Sequence, residues 1–209
     1  MSRSVNTLAI LASLLVANCL YAQETSSREF TYLQVGIAVM NFDEDIQLDL
    51  RNSTVVYEGL SGINLSASWQ PNDQAFIFLD TYSVNNSGYN TELSFFDMYL
   101  GAGFLFPLSQ DASTQFVGKG FIVGRTYEAC IYGFCAEIDD DGFGIEAGIR
   151  HSFSPVAAVD VAWQHLALDE SGSVFRIGLH LGGKGHGFYG DFKLYDDASM
   201  TTLAYRYTF

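Results

Sequence analysis

Basic residues, prolines and long apolar runs are all scarce in this sequence. Ten Lys and Arg stand against 24 Asp and Glu, and the formal net charge is −14. That balance excludes nucleic acid as a partner, because a phosphate backbone would be repelled rather than neutralised. Only three prolines occur, Pro71, Pro107 and Pro155, and each sits in a turn-like stretch. Beyond residue 22 no segment approaches the roughly 20 apolar residues that a membrane-spanning helix needs. Helical periodicity is hard to find, whereas aromatics reach 15% and glycine is frequent. This composition suits a many-stranded all-β chain.

The first residues read as an address rather than as part of the fold. Arg3 supplies a positive start, Leu8 to Val16 is almost wholly apolar, and Ala17 to Ala22 offers small residues for cleavage. The pattern predicts a secretory signal over 1–22, removed after Ala22, and one domain over 23–209. Lipidation at Cys19 is the alternative, but Asn18 fits poorly before such a site. Export exposes Cys130 and Cys135 to an oxidising compartment. They flank a short loop containing Gly133, and a disulfide between them is expected, with two free thiols as the alternative.

Alternation governs the remainder. In the last segment Leu203, Tyr205, Tyr207 and Phe209 share one face, with Thr202, Ala204, Arg206 and Thr208 on the other. Phe143, Ile145, Ala147 and Ile149 alternate with Gly144, Glu146, Gly148 and Arg150 in the same way. So do Phe175, Ile177 and Leu179 with Arg176, Gly178 and His180. One face is apolar and fits lipid; the other carries glycine and charge and fits a lumen. Further segments are centred on residues 63–69, 159–164 and 188–194, with less regular ones at 30–41, 75–84, 93–106 and 115–126. The expected fold is a transmembrane antiparallel up-and-down β-barrel of about ten strands, with about eight as the alternative.

The connections also alternate. Short turns follow the even strands, and longer segments near 42–58, 85–91, 127–141, 167–171 and 195–199 follow the odd ones. Short periplasmic turns and longer outer loops are the usual barrel asymmetry. Loop one carries apolar alternation around Ile46 to Leu50 and Thr54 to Tyr57, so a hairpin rising above the membrane is expected there.

These features together resemble the small single-domain outer-membrane barrels, the opacity-type and OmpA/OmpX-like group. The resemblance covers the mature chain and implies the outer membrane of a Gram-negative bacterium. Within it, Tyr205, Tyr207 and Phe209 resemble the terminal signal read by the barrel assembly machinery. It implies contact with outer-membrane lipid and lipopolysaccharide and a monomeric state. It implies no single activity, since the group includes adhesins, tethers, small pores and proteins of no known activity.

Strand parity turns eleven charges inward: Asp80, Asp97, Lys119, Arg125, Glu146, Arg150, Asp160, Arg176, Asp191, Lys193 and Arg206. Mixed charge in a narrow barrel is expected to pair, because unpaired buried charge is costly. Tyr32, Phe76, Phe78, Tyr82 and Tyr99 are also expected inside. The reading is a lumen plugged by salt bridges, with a narrow porin-like channel as the alternative. The acidic excess then falls on the rim, at Asp43, Glu44 and Asp45 and at Glu137, Asp139, Asp140 and Asp141. Divalent cations are candidate partners for these oxygen-rich runs, although the spacing of a calcium loop is missing. Tyr57, Trp69, Phe106, Phe153, Trp163 and Phe209 are expected to form the interfacial aromatic girdles.

Some small barrels of this kind are lipid A-modifying enzymes, which sets a further alternative. His151 with Ser152, and His165 with Asp169, Glu170 and Ser171, are the only stretches that bring hydrolase-type residues together. Neither matches a recognisable catalytic set. The expectation is a non-enzymatic barrel with a structural or surface-interaction role, without cofactor or metal.

Overall fold

The structure is a computed structural model describing residues 30–50, 53–169, 171–182 and 185–209. The expected signal segment, 1–22, lies outside the described residues. Among the described residues the chain forms ten strands: β1 (Tyr32–Leu50), β2 (Ser53–Trp69), β3 (Ala75–Gly88), β4 (Thr91–Pro107), β5 (Thr114–Ile131), β6 (Phe134–Ser154), β7 (Ala157–Ala167), β8 (Gly172–Gly182), β9 (Gly185–Leu194) and β10 (Ala198–Thr208). Each strand pairs with its neighbours in sequence, and β1 pairs with β10, which closes the barrel. Closure leaves no open edge at membrane depth, where backbone groups have no water to bind.

Period-two alternation sets the faces. Ile37, Ile63, Ile122, Ile145, Trp163, Phe188 and Leu203 lie 46–60% exposed on the outside, a belt of apolar side chains suited to lipid. The inner face buries the remainder. Large inward rings need room that only glycine leaves: a Cβ on Gly103 would sit 2.2 Å from the Phe76 ring.

The wall is uneven in height. A tilted strand crosses the hydrocarbon core in about 9–11 residues. β7, β8, β9 and β10 have 11, 11, 10 and 11 residues, enough to span. β1, β2, β4, β5 and β6 have 19, 17, 17, 18 and 21, and continue past the belt. β2 meets β3 only as far as Ser61↔Asn85, and β6 meets β7 only below Phe143↔Ala167. Two projections therefore rise on the outer side, the β1–β2 hairpin and a four-stranded arm made of the tops of β3 to β6.

That arm corrects one expectation. Residues 127–141, expected as an outer loop, are strand except for a two-residue turn at Tyr132 and Gly133. Alternation continues there, with Tyr127↔Ile138 on one face and Thr126↔Asp139 and Glu128↔Glu137 on the other, so the ladder persists. Both turn residues have positive φ, 51° and 80°, as a tight hairpin turn requires. On the periplasmic side the turns are held by side chains. Asn72 Oδ1 accepts from the amides of Gln74 and Ala75. Asp111 Oδ1 accepts from the amide and hydroxyl of Ser113.

Candidate functional site

The lumen and the outer rim are the two places where this fold gathers chemistry. All eleven charges expected inside lie on inward positions, and cross-strand register sets several in contact. Glu146 on β6 is the centre of one group. Its carboxylate accepts from Lys119 Nζ at 2.8 Å, from Arg176 at 3.0 Å and from the Gln164 amide. Arg176 also donates to Tyr189 Oη at 2.7 Å and lies 3.6 Å from Asp191, which accepts from Tyr189 at 3.1 Å. Asp97, wholly buried, accepts from Arg125 Nε and Nη2 at 2.8 and 3.0 Å and from the Tyr99 hydroxyl at 2.6 Å. Lys193 lies over the Tyr82 and Tyr99 rings at 4.1 and 4.8 Å, and Asp80 pairs in register with Tyr99.

Nearer the periplasmic end neutral and aromatic partners join the carboxylates. Arg206 donates to Gln34 Oε1 at 2.9 and 2.7 Å and lies 3.8 and 4.2 Å from the Tyr32 and Tyr189 rings. Arg150 stands 3.7 Å from Asp160 and over the Phe30 ring. Beside these groups lies a void of about 30 Å³, room for about one or two waters. Below it a vestibule of about 660 Å³ opens to the periplasm between Gln70, Gln115, Ser152 and Pro155. At its edge the bonds to Ser109 and Ser113 favour the ionised form of Asp111 and draw its pKa down to about 2.

The outer half of the lumen is different, and sequence reasoning missed it. Met40, Leu60, Val84, Phe95, Val123, Leu166, Val174 and Met200 are all buried there at 5% exposure or less. They belong to one apolar cluster that also runs down through Phe78, Phe76 and Val117, and Phe42, Ile46, Leu48 and Val55 pack against it. The signal was present in the weakly alternating segments. Strands that are apolar outside for lipid and apolar inside for packing lose their period-two contrast.

Tyr57 belongs to this cluster and not to a girdle. It is 2% exposed, and its hydroxyl lies 2.6 Å from Thr91 Oγ1. Inward positions on β2 are even-numbered below Leu60 and switch at Tyr57. The switch coincides with the register shift between Asn41 and Ile46 on β1. Trp69 is half-buried, while Phe106, Phe153, Trp163 and Phe209 are exposed on the outside. Tyr205 and Tyr207 are exposed beside Phe209.

At the rim, Cys130 and Cys135 are joined by a disulfide across the β5–β6 ladder. The acidic runs point in several directions. Asp139 accepts from Thr126 at 2.7 Å, and Asp140 accepts from the Asp169 amide at 3.1 Å. Among the described residues, the one gathering of metal-ligand side chains is Glu128 with the two bonded cysteines. A disulfide sulfur is not the thiolate that binds metal. The histidines lie apart. His151 contacts Thr114 and Phe153, His165 stacks on Trp163, His186 meets Tyr205 and Tyr207, and His180 faces the lumen. No histidine–carboxylate ion pair occurs among the described residues, and Glu170 lies outside them.

A closed antiparallel barrel with an even strand number, an apolar outer belt and a charged interior defines the outer-membrane β-barrel class. Barrels of this build are the ones that span outer membranes. No family model and no curated protein matches the chain. Solved structures similar to it include Ail, the attachment invasion locus protein of Yersinia pestis. It has 12% identity and a TM-score of 0.45, covering 84% of this chain and 97% of that one. OprG from Pseudomonas aeruginosa has 12% identity and a TM-score of 0.42, covering 85% and 95%. The translocator domain of the autotransporter NalP from Neisseria meningitidis has 9% identity and a TM-score of 0.44, covering 99% and 97%.

Proposed function

We propose that this chain is a closed, non-enzymatic barrel, monomeric in the membrane, that acts through its outer surface. The observation that supports this reading is the two-layer filling of the lumen. An ion-pair network around Glu146 crosses the middle, and a largely apolar stretch that encloses the Asp97–Arg125 pair lies above it. Ions crossing such a barrel would have to break buried charge pairs and wet a largely apolar layer, and each is costly. The parts that vary in height are all on the outer side, where the arm and hairpin stand among lipopolysaccharide with their acids presented. Tyr205, Tyr207 and Phe209 would serve assembly, and divalent ions would bridge the rim acids to lipid phosphates.

The test is conductance of the refolded protein in a planar bilayer, with insertion verified by protease protection. Silence is the expected result. Discrete reproducible steps would replace this reading with a narrow channel. Mass spectrometry of lipid A from an overproducing cell is expected to be unchanged; a new acylation pattern would make the protein an enzyme.

A further inference from the structure

The top of β6 has a neighbour on one side only. Its residues 134–142 pair with β5, and pairing with β7 begins at Phe143. Residues 134–139 are all exposed. An edge of this kind presents a row of backbone N–H and C=O groups to solvent, which is a template for one more strand. The other projecting edges are blunted. The β1 edge is broken by the irregularity between Asn41 and Ile46, and the Asp43 amide is spent on the Asp197 carbonyl. The β2 edge is covered by Asn86, whose amide donates to the Gly59 carbonyl at 2.9 Å, and by the contact of Tyr57 with the Gly88 amide. The β5–β6 ladder, by contrast, runs without a register shift from Thr114↔His151 to Ile131↔Phe134, and a disulfide clamps it near the tip.

Side chains along this edge alternate in kind. Phe134 and Ile138, 84% and 67% exposed, share a face with Tyr127. Glu137 and Asp139 lie on the opposite face, with Glu128 and Glu92 on the neighbouring strands. A second copy of the chain is a poor occupant. Edge-to-edge pairing would set Glu137 and Asp139 against the same carboxylates, and like charges opposite one another repel. The whole chain also carries −14. Charge complementarity asks for the reverse pattern.

We propose that the β6 edge at 134–139 captures an extended cationic segment of a partner protein by strand addition. Lysine or arginine would stand on the acidic face and apolar side chains against Phe134 and Ile138. This deepens, and rests on, the surface-acting reading above. Main-chain bonds supply affinity in such pairing and alternate side chains supply selectivity. The disulfide lowers the ordering cost by holding the template strand in place.

The experiment uses the refolded barrel in lipid nanodiscs and a fluorescent, end-blocked peptide of alternating lysine and valine. Anisotropy is expected to show saturable binding at physiological salt. Two probes should bind at least about tenfold more weakly: the same peptide N-methylated at alternate residues, and its glutamate–valine analogue. The double variant Glu137→Lys/Asp139→Lys should lose the lysine peptide to a similar degree, while Asp43→Lys/Glu44→Lys retains it. Bound peptide should also slow amide exchange across 134–139. Equal binding of the N-methylated peptide would overturn the proposal, since charge alone would then suffice, and so would absence of binding. Either failure with a silent bilayer removes strand capture and leaves the closed-barrel reading standing.

Discussion

The two halves of the lumen solve the same problem by different physics. The inner half is filled by charge that must be matched. Glu146 serves Lys119 and Arg176 together, and Arg176 also reaches Asp191. The outer half is filled mostly by Met40, Phe95, Met200 and their neighbours, which need only shape, packed around the Asp97–Arg125 pair and Lys193. Apolar filling tolerates loss of a side chain by partial collapse, whereas an ion-pair network does not, because the stranded partner keeps its charge. The difference teaches where this barrel is brittle and where it is sealed.

The comparison breaks most directly at Glu146. Glu146→Ala leaves Lys119 and Arg176 without their shared carboxylate and should cost about 3–5 kcal/mol in urea unfolding from lipid vesicles. Its bilayer conductance should nevertheless stay silent, because the apolar layer above is intact. Current through this variant would show that the charges, not the apolar layer, are the seal. In the outer half, Met200→Ala should cost about 2–4 kcal/mol by the same unfolding assay, leaving the inner pairs unchanged. Combining the two should give discrete current steps where neither alone does. Replacing Cys130 and Cys135 by serine should cost only about 2 kcal/mol or less, because the loop they close is short and lies outside both halves. The loss should appear as faster amide exchange at the arm tip with the barrel unaffected.

Smallest of all is the turn at Asp111. Its carboxyl is held at about 2 against an ordinary 3.8 by the bonds to Ser109 and Ser113. A lowered folded-state pKa means the contribution is complete above 3.8 and is lost as pH falls through about 2. NMR titration of the Asp111 carboxyl should show the low midpoint, and Ser113→Ala should move it upward. An unmoved midpoint would mean the hydroxyl bond is unimportant.

Much of this was legible from residue order. The eleven inward charges follow from parity alone, because a period of two sends alternate side chains to opposite faces whatever the strand's neighbours. The outer half was not legible. Val84, Phe95 and Val123 lie inward while Ile77, Phe104 and Ile122 lie outward on the same strands, so the alternation that marks a strand is flattened. Tyr57 was misread for a related reason. The irregularity opposite it reverses the β2 parity, and nothing in the local sequence announces the reversal. The acidic stretch of β6 reads as a loop by charge, yet Glu137, Asp139 and Asp141 share one face, with only Asp140 on the other, and a solvent-facing ladder accommodates that.

The amino-acid sequence by itself determined which side chains share a face within an unbroken strand, because facing is a local property of an extended backbone. Only the tertiary structure decided which side chains meet. Arg176 reaches Glu146 past the intervening β7, and Lys193 on β9 reaches Tyr82 and Tyr99 on β3 and β4 across the lumen. Those meetings depend on closure and on the stagger between strands, which set the height of every residue around the barrel. The open edge of β6 is decided in the same way. It exists because β7 ends at Ala167 while β6 continues above it, a difference in height between two strands that neither strand encodes alone.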